Sequence, residues 1–366
     1  MSDRARRTVV FVSRLPPPRG GICTWTRIVF ERGLPDGWIP LLVDTDLPAN
    51  RQTFVRGRVS PAELRRTARI LLHLLRELVL RRPAIVHFNL DPLNLGVYRD
   101  LAGAVLARLF RVPVVLHHHG LVARLDEQPE RRLQRWVLTR AARVASLNIA
   151  LNEPSAAFLR SRTQGSRARV VSLPNFFDER ALPQLPGEPA GAPRVAFVAG
   201  LTLAKGAHLA VEVARRLPDV ELHLFGDVYE EIRPVLDAAP ANVFVHGEVE
   251  HDALIRELRQ SRLLLFPSEH EGFPYAVLEA MALGLAVVAT PVGAIPEMVE
   301  DGQGGLLRPR DAGALAAAVG ELLADEPRRA AMGRFNREKA WRLYAYAAVS
   351  RELADLYESL AGAPRA

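Results

Sequence analysis

The stretch PSEHEGFPYAVLEAMALGLAVVATPVG, residues 267–293, sets two carboxylates, Glu271 and Glu279, eight residues apart across a loop-to-helix junction. Just upstream, SRLLLF (261–266) is a short apolar run of strand type that Pro267 ends. Downstream, 275–285 carries apolar residues at helical spacing, with Pro274 at the expected first helical position, where its missing N–H costs nothing. A helix that starts at the carboxyl end of a strand offers free N–H groups and a positive dipole end, both suited to a phosphate. Gly272 lets backbone approach a ligand closely. Carboxylates accept hydroxyl hydrogen bonds well. Glu271 on the loop and Glu279 about one turn into the helix therefore ask for a ligand with a diphosphate in its middle and hydroxyls on both sides, as in a nucleotide sugar. Standing alone, two such glutamates could equally be solvated or cap the helix.

The full pattern is more specific. EGFPYAVLEAMA (271–282), followed by VVATPVGAIPE (287–297) and EDG (300–302), resembles the E-x7-E motif of the family 4 retaining glycosyltransferases. The resemblance implies the GT-B arrangement, an α/β fold of two Rossmann-like domains facing a cleft, with a C-terminal helix crossing back to the first domain. It implies donor contacts as well: Glu279 to the ribose hydroxyls, Glu271 to the sugar hydroxyls, and the backbone of Gly272, Phe273, Pro274 and Tyr275 to the diphosphate.

Working outward, 366 residues fit two domains, and with half the residues apolar both can bury a core. The single cysteine, Cys23, excludes a disulfide framework and a cysteine-based zinc site and fits a reducing compartment. No stretch approaches the roughly 18 apolar residues of a membrane span, so the expectation is a cytoplasmic chain, soluble or peripheral on the inner face of the membrane. The formal charge of +7 is carried by arginine, since Lys205 and Lys339 are the only lysines. No zinc-finger spacing, aromatic RNA-binding motif or basic zipper is present, and nucleic acid is not expected as a partner.

Strand-like runs at 8–13, 39–43, 84–88, 112–117, 144–151 and 168–172 alternate with helical periodicity at 61–81, 93–110 and 130–143. After the Pro- and Gly-rich 182–194 the pattern restarts, with strands at 195–199, 221–225, 243–246, 263–266 and 286–289. This alternation predicts two parallel sheets wrapped by helices. The expected domains are 1–181 for the acceptor, a linker at 182–194, 195–340 for the donor, and a returning helix within 341–366. The last helices are expected at 311–323 and from 327 to about 360.

Three further motifs follow the family's order. Gly20-Gly21, after the first strand, matches its N-terminal glycine loop near donor phosphate and acceptor; a diglycine beside prolines also reads as a plain turn. No G-x-G-x-x-G fingerprint occurs, which argues against a nicotinamide dinucleotide. FVAGLTLAKG (197–206) resembles the phosphate-binding segment, with Lys205 as a point charge for a diphosphate leaving group. It departs from the pattern at Ala199, where the family has glycine, and at Gly200, where it usually has arginine. VPVVLHHHG (112–120) ends a strand in three histidines, and His119 matches the active-site histidine expected near the reacting sugar carbon. Three histidines are plausible metal ligands, but strand neighbours point to opposite faces and no acidic partner completes a cage, so no metal is expected.

The reading is thus a retaining, metal-independent glycosyltransferase of hexosyltransferase type. It takes a UDP-, GDP- or ADP-linked sugar without a cofactor and serves a glycan or lipid-linked acceptor in polysaccharide or glycolipid synthesis, with His119, Lys205 and Glu271 in catalytic roles. A sugar-nucleotide epimerase of the same fold, or a silent sugar-nucleotide-binding homologue, are the alternatives. Residues 63–82 combine helical apolar spacing with six arginines, and RRLQRW (131–136) adds a basic segment with an interfacial aromatic. Either these helices sit at an anionic membrane surface, or they pack one face on the sheet with their arginines in water.

Overall fold

The computed structural model describes residues 7–17, 20–45, 61–92, 96–182 and 193–362. Most of the expected linker, residues 183–192, lies outside them, as do the first residues of the helix expected from 93 and two residues of the loop before Gly20.

The chain divides into two compact units, Met1–Asn175 with Ala347–Ala366, and Phe176–Tyr346. In the first, six strands, β1 (Arg7–Ser13), β2 (Trp38–Asp44), β3 (Ile85–Leu90), β4 (Val114–His118), β5 (Leu147–Ala150) and β6 (Arg169–Ser172), form a sheet in the order β2-β1-β3-β4-β5-β6. Every pairing is parallel. The helices are α1 (Gly21–Arg32), α2 (Pro61–Leu80), α3 (Gly96–Leu109), α4 (Arg132–Val144) and α5 (Glu153–Thr163). Parallel strands covered on both faces read as unbroken apolar runs. β3 is buried along its whole length, with His87 and Asn89 as polar residues among the apolar ones.

The second unit repeats the plan. Its strands β7 (Arg194–Val198), β8 (Glu221–Phe225), β9 (Val243–Gly247), β10 (Leu263–Phe266), β11 (Ala286–Ala289) and β12 (Gly305–Leu307) run in the order β12-β11-β10-β7-β8-β9, again all parallel. Its helices are α6 (Ala207–Arg216), α7 (Arg233–Asp237), α8 (His251–Leu258), α9 (Tyr275–Ala282), α10 (Ile295–Met298), α11 (Ala312–Ala324) and α12 (Glu326–Leu343). The last helix, α13 (Tyr346–Ala361), lies almost wholly in the first unit, where Tyr357 is fully buried against Trp38 and His87.

Two details differ from the sequence expectation. The region from 327 to 360 is two helices, because Tyr344 and Ala345 leave the helical path to pair with Phe177: its N–H donates to Tyr344 O, and Tyr346 N–H donates to its carbonyl. The chain's crossings out of and back into the first unit accordingly fall at Asn175/Phe176 and Tyr346/Ala347, where the expected boundaries were 181 and 341. Strand β12 and helix α5 lie in segments to which no element was assigned above.

In an open parallel sheet the strand order reverses at one point, and ligands bind beyond the strand carboxyl ends there. That point is β1/β3 in the first unit and β7/β10 in the second. Gly20 follows β1, Lys205 follows β7, and Glu271 follows β10.

Candidate active site

In the second unit the loops after β7 and β10 are clamped together. Gly206 has φ +82°, and a Cβ there would stand 2.3 Å from Pro267 O, so glycine alone lets the lysine loop close on the end of β10. Gly293, at φ +57°, brings the loop after β11 onto the Glu271 loop, where a Cβ would fall 1.7 Å from Glu271 O. Glu269 N–H donates to Ala204 O at 2.9 Å, and Arg310 ties the loops again by donating to Leu203 O (2.5 Å) and Pro267 O (3.2 Å).

The result is direct contact between two of the expected site residues: Lys205 Nζ lies 2.6 Å from Glu271 Oε1. Glu271 is nearly buried, whereas the lysine is about a third exposed. A charged pair with one member still reaching solvent can exchange its partner for a ligand oxygen at little desolvation cost. Lys339, the other lysine, is buried on Glu300 at 2.9 Å and on Glu297 O, holding together the EDG segment.

Helix α9 begins at Tyr275, one residue later than expected, with Pro274 as an extended N-cap whose side chain caps nothing. Its first bond runs from Leu278 N–H to Pro274 O, which leaves the positive end of the helix dipole beside the loop that carries Glu271, Gly272 and Phe273. Glu279 is buried in the second turn, and its Oε1 lies 2.9 Å from His251 Nε2 at the start of α8. Neither His251 nor Arg310 was singled out by the sequence, since each reaches the site from a loop or helix end that carries no motif. A Cβ at Gly200 would stand 3.2 Å from the ring of Tyr229, a side chain that is itself 46% exposed.

In the first unit, Gly20 caps α1 at φ +153°, with no atom within 4 Å of where a Cβ would be, and Gly21 opens the helix. The histidines divide as strand alternation requires. His118 Nε2 faces Asn148 Oδ1 at 3.0 Å, while the His117 and His119 rings lie 4.2 Å apart, both against Trp25. His119 Nε2 is 3.0 Å from Asn89 Oδ1. Burial keeps all four clustered imidazoles neutral, lowering His87 to about 3 and His118 to about 4, and His117 and His119 well below the ordinary histidine value. Among the described residues no three His, Cys, Asp or Glu side chains converge to hold a metal.

Comparison with known proteins bears on both groups of residues. The family model for glycosyl transferases group 1 matches residues 178–339, and that for glycosyltransferase family 4 matches residues 39–180. The alpha-maltose-1-phosphate synthase of Mycolicibacterium smegmatis is 31% identical over 299 residues, 72% of this chain and 77% of that protein. The chain belongs to glycosyltransferase family 4. It is a glycosyltransferase, and its fold is that of the GT-B enzymes. The sucrose-phosphate synthase of Thermosynechococcus elongatus superposes with a TM-score of 0.77 at 19% identity, covering 98% of this chain and all of that one. Anabaena HepE in complex with UDP-glucose gives 0.74 at 20% identity over 96% and 99%. For this glycosyltransferase, then, the E-x7-E glutamates and Lys205 stand at the strand-order reversal of the second sheet.

Proposed function

We propose that this glycosyltransferase moves a sugar from a nucleoside diphosphate donor to a lipid-linked or glycan acceptor, with retention of anomeric configuration and without a divalent ion. The observation that carries the reading is the Lys205–Glu271 pair at the β7/β10 reversal, beside the N-terminus of α9. A cation and a carboxylate one hydrogen bond apart can address a diphosphate oxygen and an adjacent sugar hydroxyl. Lys205 and the α9 dipole stabilise the leaving diphosphate, Glu271 and His119 hold the sugar, Glu279 takes the ribose hydroxyls, and Gly20 and Gly21 admit phosphate or acceptor to the backbone. Charge stabilisation and positioning supply most of the rate, and no enzymic nucleophile is assigned. Since the related HepE was crystallised with UDP-glucose, a UDP-sugar is the first donor to test.

Exposed side chains of the first unit support a lipid-linked acceptor. α2 buries Ile70, Leu74 and Leu78, and its opposite stripe sets Leu72 (65% exposed) among exposed Arg65, Arg69 and Arg76. α3, packed beside it, exposes Leu109 (76%), and α4 exposes Leu133 (63%) and Trp136. Leucines left in water between arginines suit an anionic bilayer surface, with each basic residue contributing about 1 kcal/mol. No helix among the described residues is long and apolar enough to cross a membrane, so a peripheral association fits.

The test is incubation with UDP-, GDP- and ADP-sugars and either lipid extract or soluble glycan, following nucleoside diphosphate release and the product's anomeric configuration by NMR. A product of inverted configuration, an isomerised donor in the absence of acceptor, or donor binding without turnover would each overturn the reading. The last would favour a silent homologue. Vesicle sedimentation that needs anionic lipid, and is lost when Arg65, Arg66, Arg69 and Arg76 become Glu, tests the membrane face.

A further inference from the structure

The carboxyl ends of β1 and β3 hold a buried polar network whose protons can be placed one by one. Thr26 Oγ1 lies 2.8 Å from Ile22 O, a carbonyl that can only accept, so the threonine proton goes there. Ser13 Oγ is 2.6 Å from Thr26 Oγ1 and must donate to it. Both hydroxyl protons are then committed, and each oxygen can only accept from Asn89, which lies 3.0 Å from Ser13 Oγ and 3.3 Å from Thr26 Oγ1. The amide nitrogen of Asn89 must face them. Its oxygen consequently faces two imidazoles, His87 Nε2 at 3.1 Å and His119 Nε2 at 3.0 Å, and each must present an N–H. His87, with its proton on Nε2, has a lone pair on Nδ1, and Tyr357 of α13 donates its hydroxyl to that nitrogen at 2.6 Å. His119, with its proton likewise on Nε2, has a lone pair on Nδ1, a buried atom for which no described residue supplies a partner.

We infer that Asn89 is a positioning residue that fixes His119 as the neutral Nε2–H tautomer, anchored by Ser13 and Thr26 on one side and by His87 and Tyr357 on the other, so that Nδ1 stays a hydrogen-bond acceptor for a substrate hydroxyl. The inference rests on the reading that His119 serves the reacting sugar. It gives that residue a physical task. Positive charge develops at the anomeric carbon of a departing sugar, and an imidazolium beside it would oppose the reaction, whereas a neutral ring holding a hydroxyl does not. The surroundings act in the same direction. The His119 ring lies against His117, and burial first, then the charge of Arg14 beyond β1 and any proton on His87 or His118, disfavour a second proton on it. Asp91, after β3, lies near Gly120 as the nearby carboxylate.

The test begins with the unaltered protein. Long-range ¹H–¹⁵N spectra of histidine-labelled enzyme without donor, with His119 assigned from the lines lost in His119→Gln, should show one nitrogen protonated at neutral pH, and it should be Nε2. An Nδ1–H tautomer or an imidazolium overturns the inference, and this readout does not depend on the enzyme turning over any donor. Kinetics with the donor that proves active give a second readout. Asn89→Ala should lower kcat by roughly 10-fold or more while donor KM stays within about 3-fold, the sign of a misplaced group. Asn89→Asp sets a carboxylate against both imidazoles and raises the His119 pKa, so activity should fall as pH drops through the new value and recover above it. The wild type should show no such limb between about pH 5.5 and 8. Tyr357→Phe should give a smaller loss of kcat with the wild-type pH profile. If Asn89→Asp folds and keeps both the wild-type kcat and its pH profile, Asn89 does not set the state of His119.

Discussion

Acid should loosen the first unit, because four imidazoles are buried there as neutral rings. His87 is lowered to about 3 and His118 to about 4 by desolvation, from an ordinary value of 6.5. The unfolded chain therefore takes up the proton first. The stability these groups leave intact above 6.5 is lost as pH falls toward the folded values. The slope is about 1.4 kcal/mol per pH unit for each histidine. At pH ~5 the loss from His87 and His118 is about 2 kcal/mol apiece, a large share of a typical 5–15 kcal/mol. Asp100, raised by burial, works with the opposite sign and is common to all variants. The assay is urea unfolding followed by tryptophan fluorescence in a Trp341→Phe background, where the remaining reporters, Trp25, Trp38 and Trp136, all lie in the first unit. His118→Gln keeps a side-chain amide for Asn148 but removes one titrating group, and its slope below 6.5 should be shallower by about 1.4 kcal/mol per pH unit. An unfolding free energy equal at pH ~7.5 and ~5, or an unchanged slope in His118→Gln, would refute the reasoning.

Other perturbations address the proposed donor site of the second unit. Lys205→Ala should lower turnover by ~100-fold or more, with Lys205→Arg recovering only part because a planar fork replaces a point charge; steady-state kinetics with saturating donor measures both. Glu279→Gln should raise donor KM by roughly 10-fold while slowing chemistry less, since a charged acceptor held by His251 becomes a neutral one; an unchanged KM would remove the ribose assignment. Activity should survive excess EDTA; loss that Mg²⁺ or Mn²⁺ restores would show a metal requirement.

The alternation of buried strands was plain in the sequence, and β8 and β10 fall where their apolar runs do, because strands covered on both faces leave little freedom at their ends. The E-x7-E segment was plain too, since a strand, a proline and a helix start carry local signals. Helix α5 was less visible: its N-cap, Asn152 accepting from Ser155 N–H, is a local signal, but its apolar periodicity is weak. The break at Tyr344 has no glycine or proline to announce it and comes from pairing with Phe177, far away in sequence. The same holds for the partners of the site residues. Tyr357 reaches His87 across 270 positions, and Arg310 reaches Leu203 across 107. Such contacts exist only once the sheets are assembled.

The central claim is that the loops after β7 and β10 form a nucleotide-sugar site in the second unit. Its most direct test is the unfolding temperature of the wild type and of Lys205→Ala across a panel of UDP-, GDP- and ADP-sugars. One donor class at ~100 times its dissociation constant should stabilise the wild type by about 2.7 kcal/mol, and the variant by less at the same concentration. No stabilisation by any donor, or an equal shift in the Lys205→Ala variant, would contradict it.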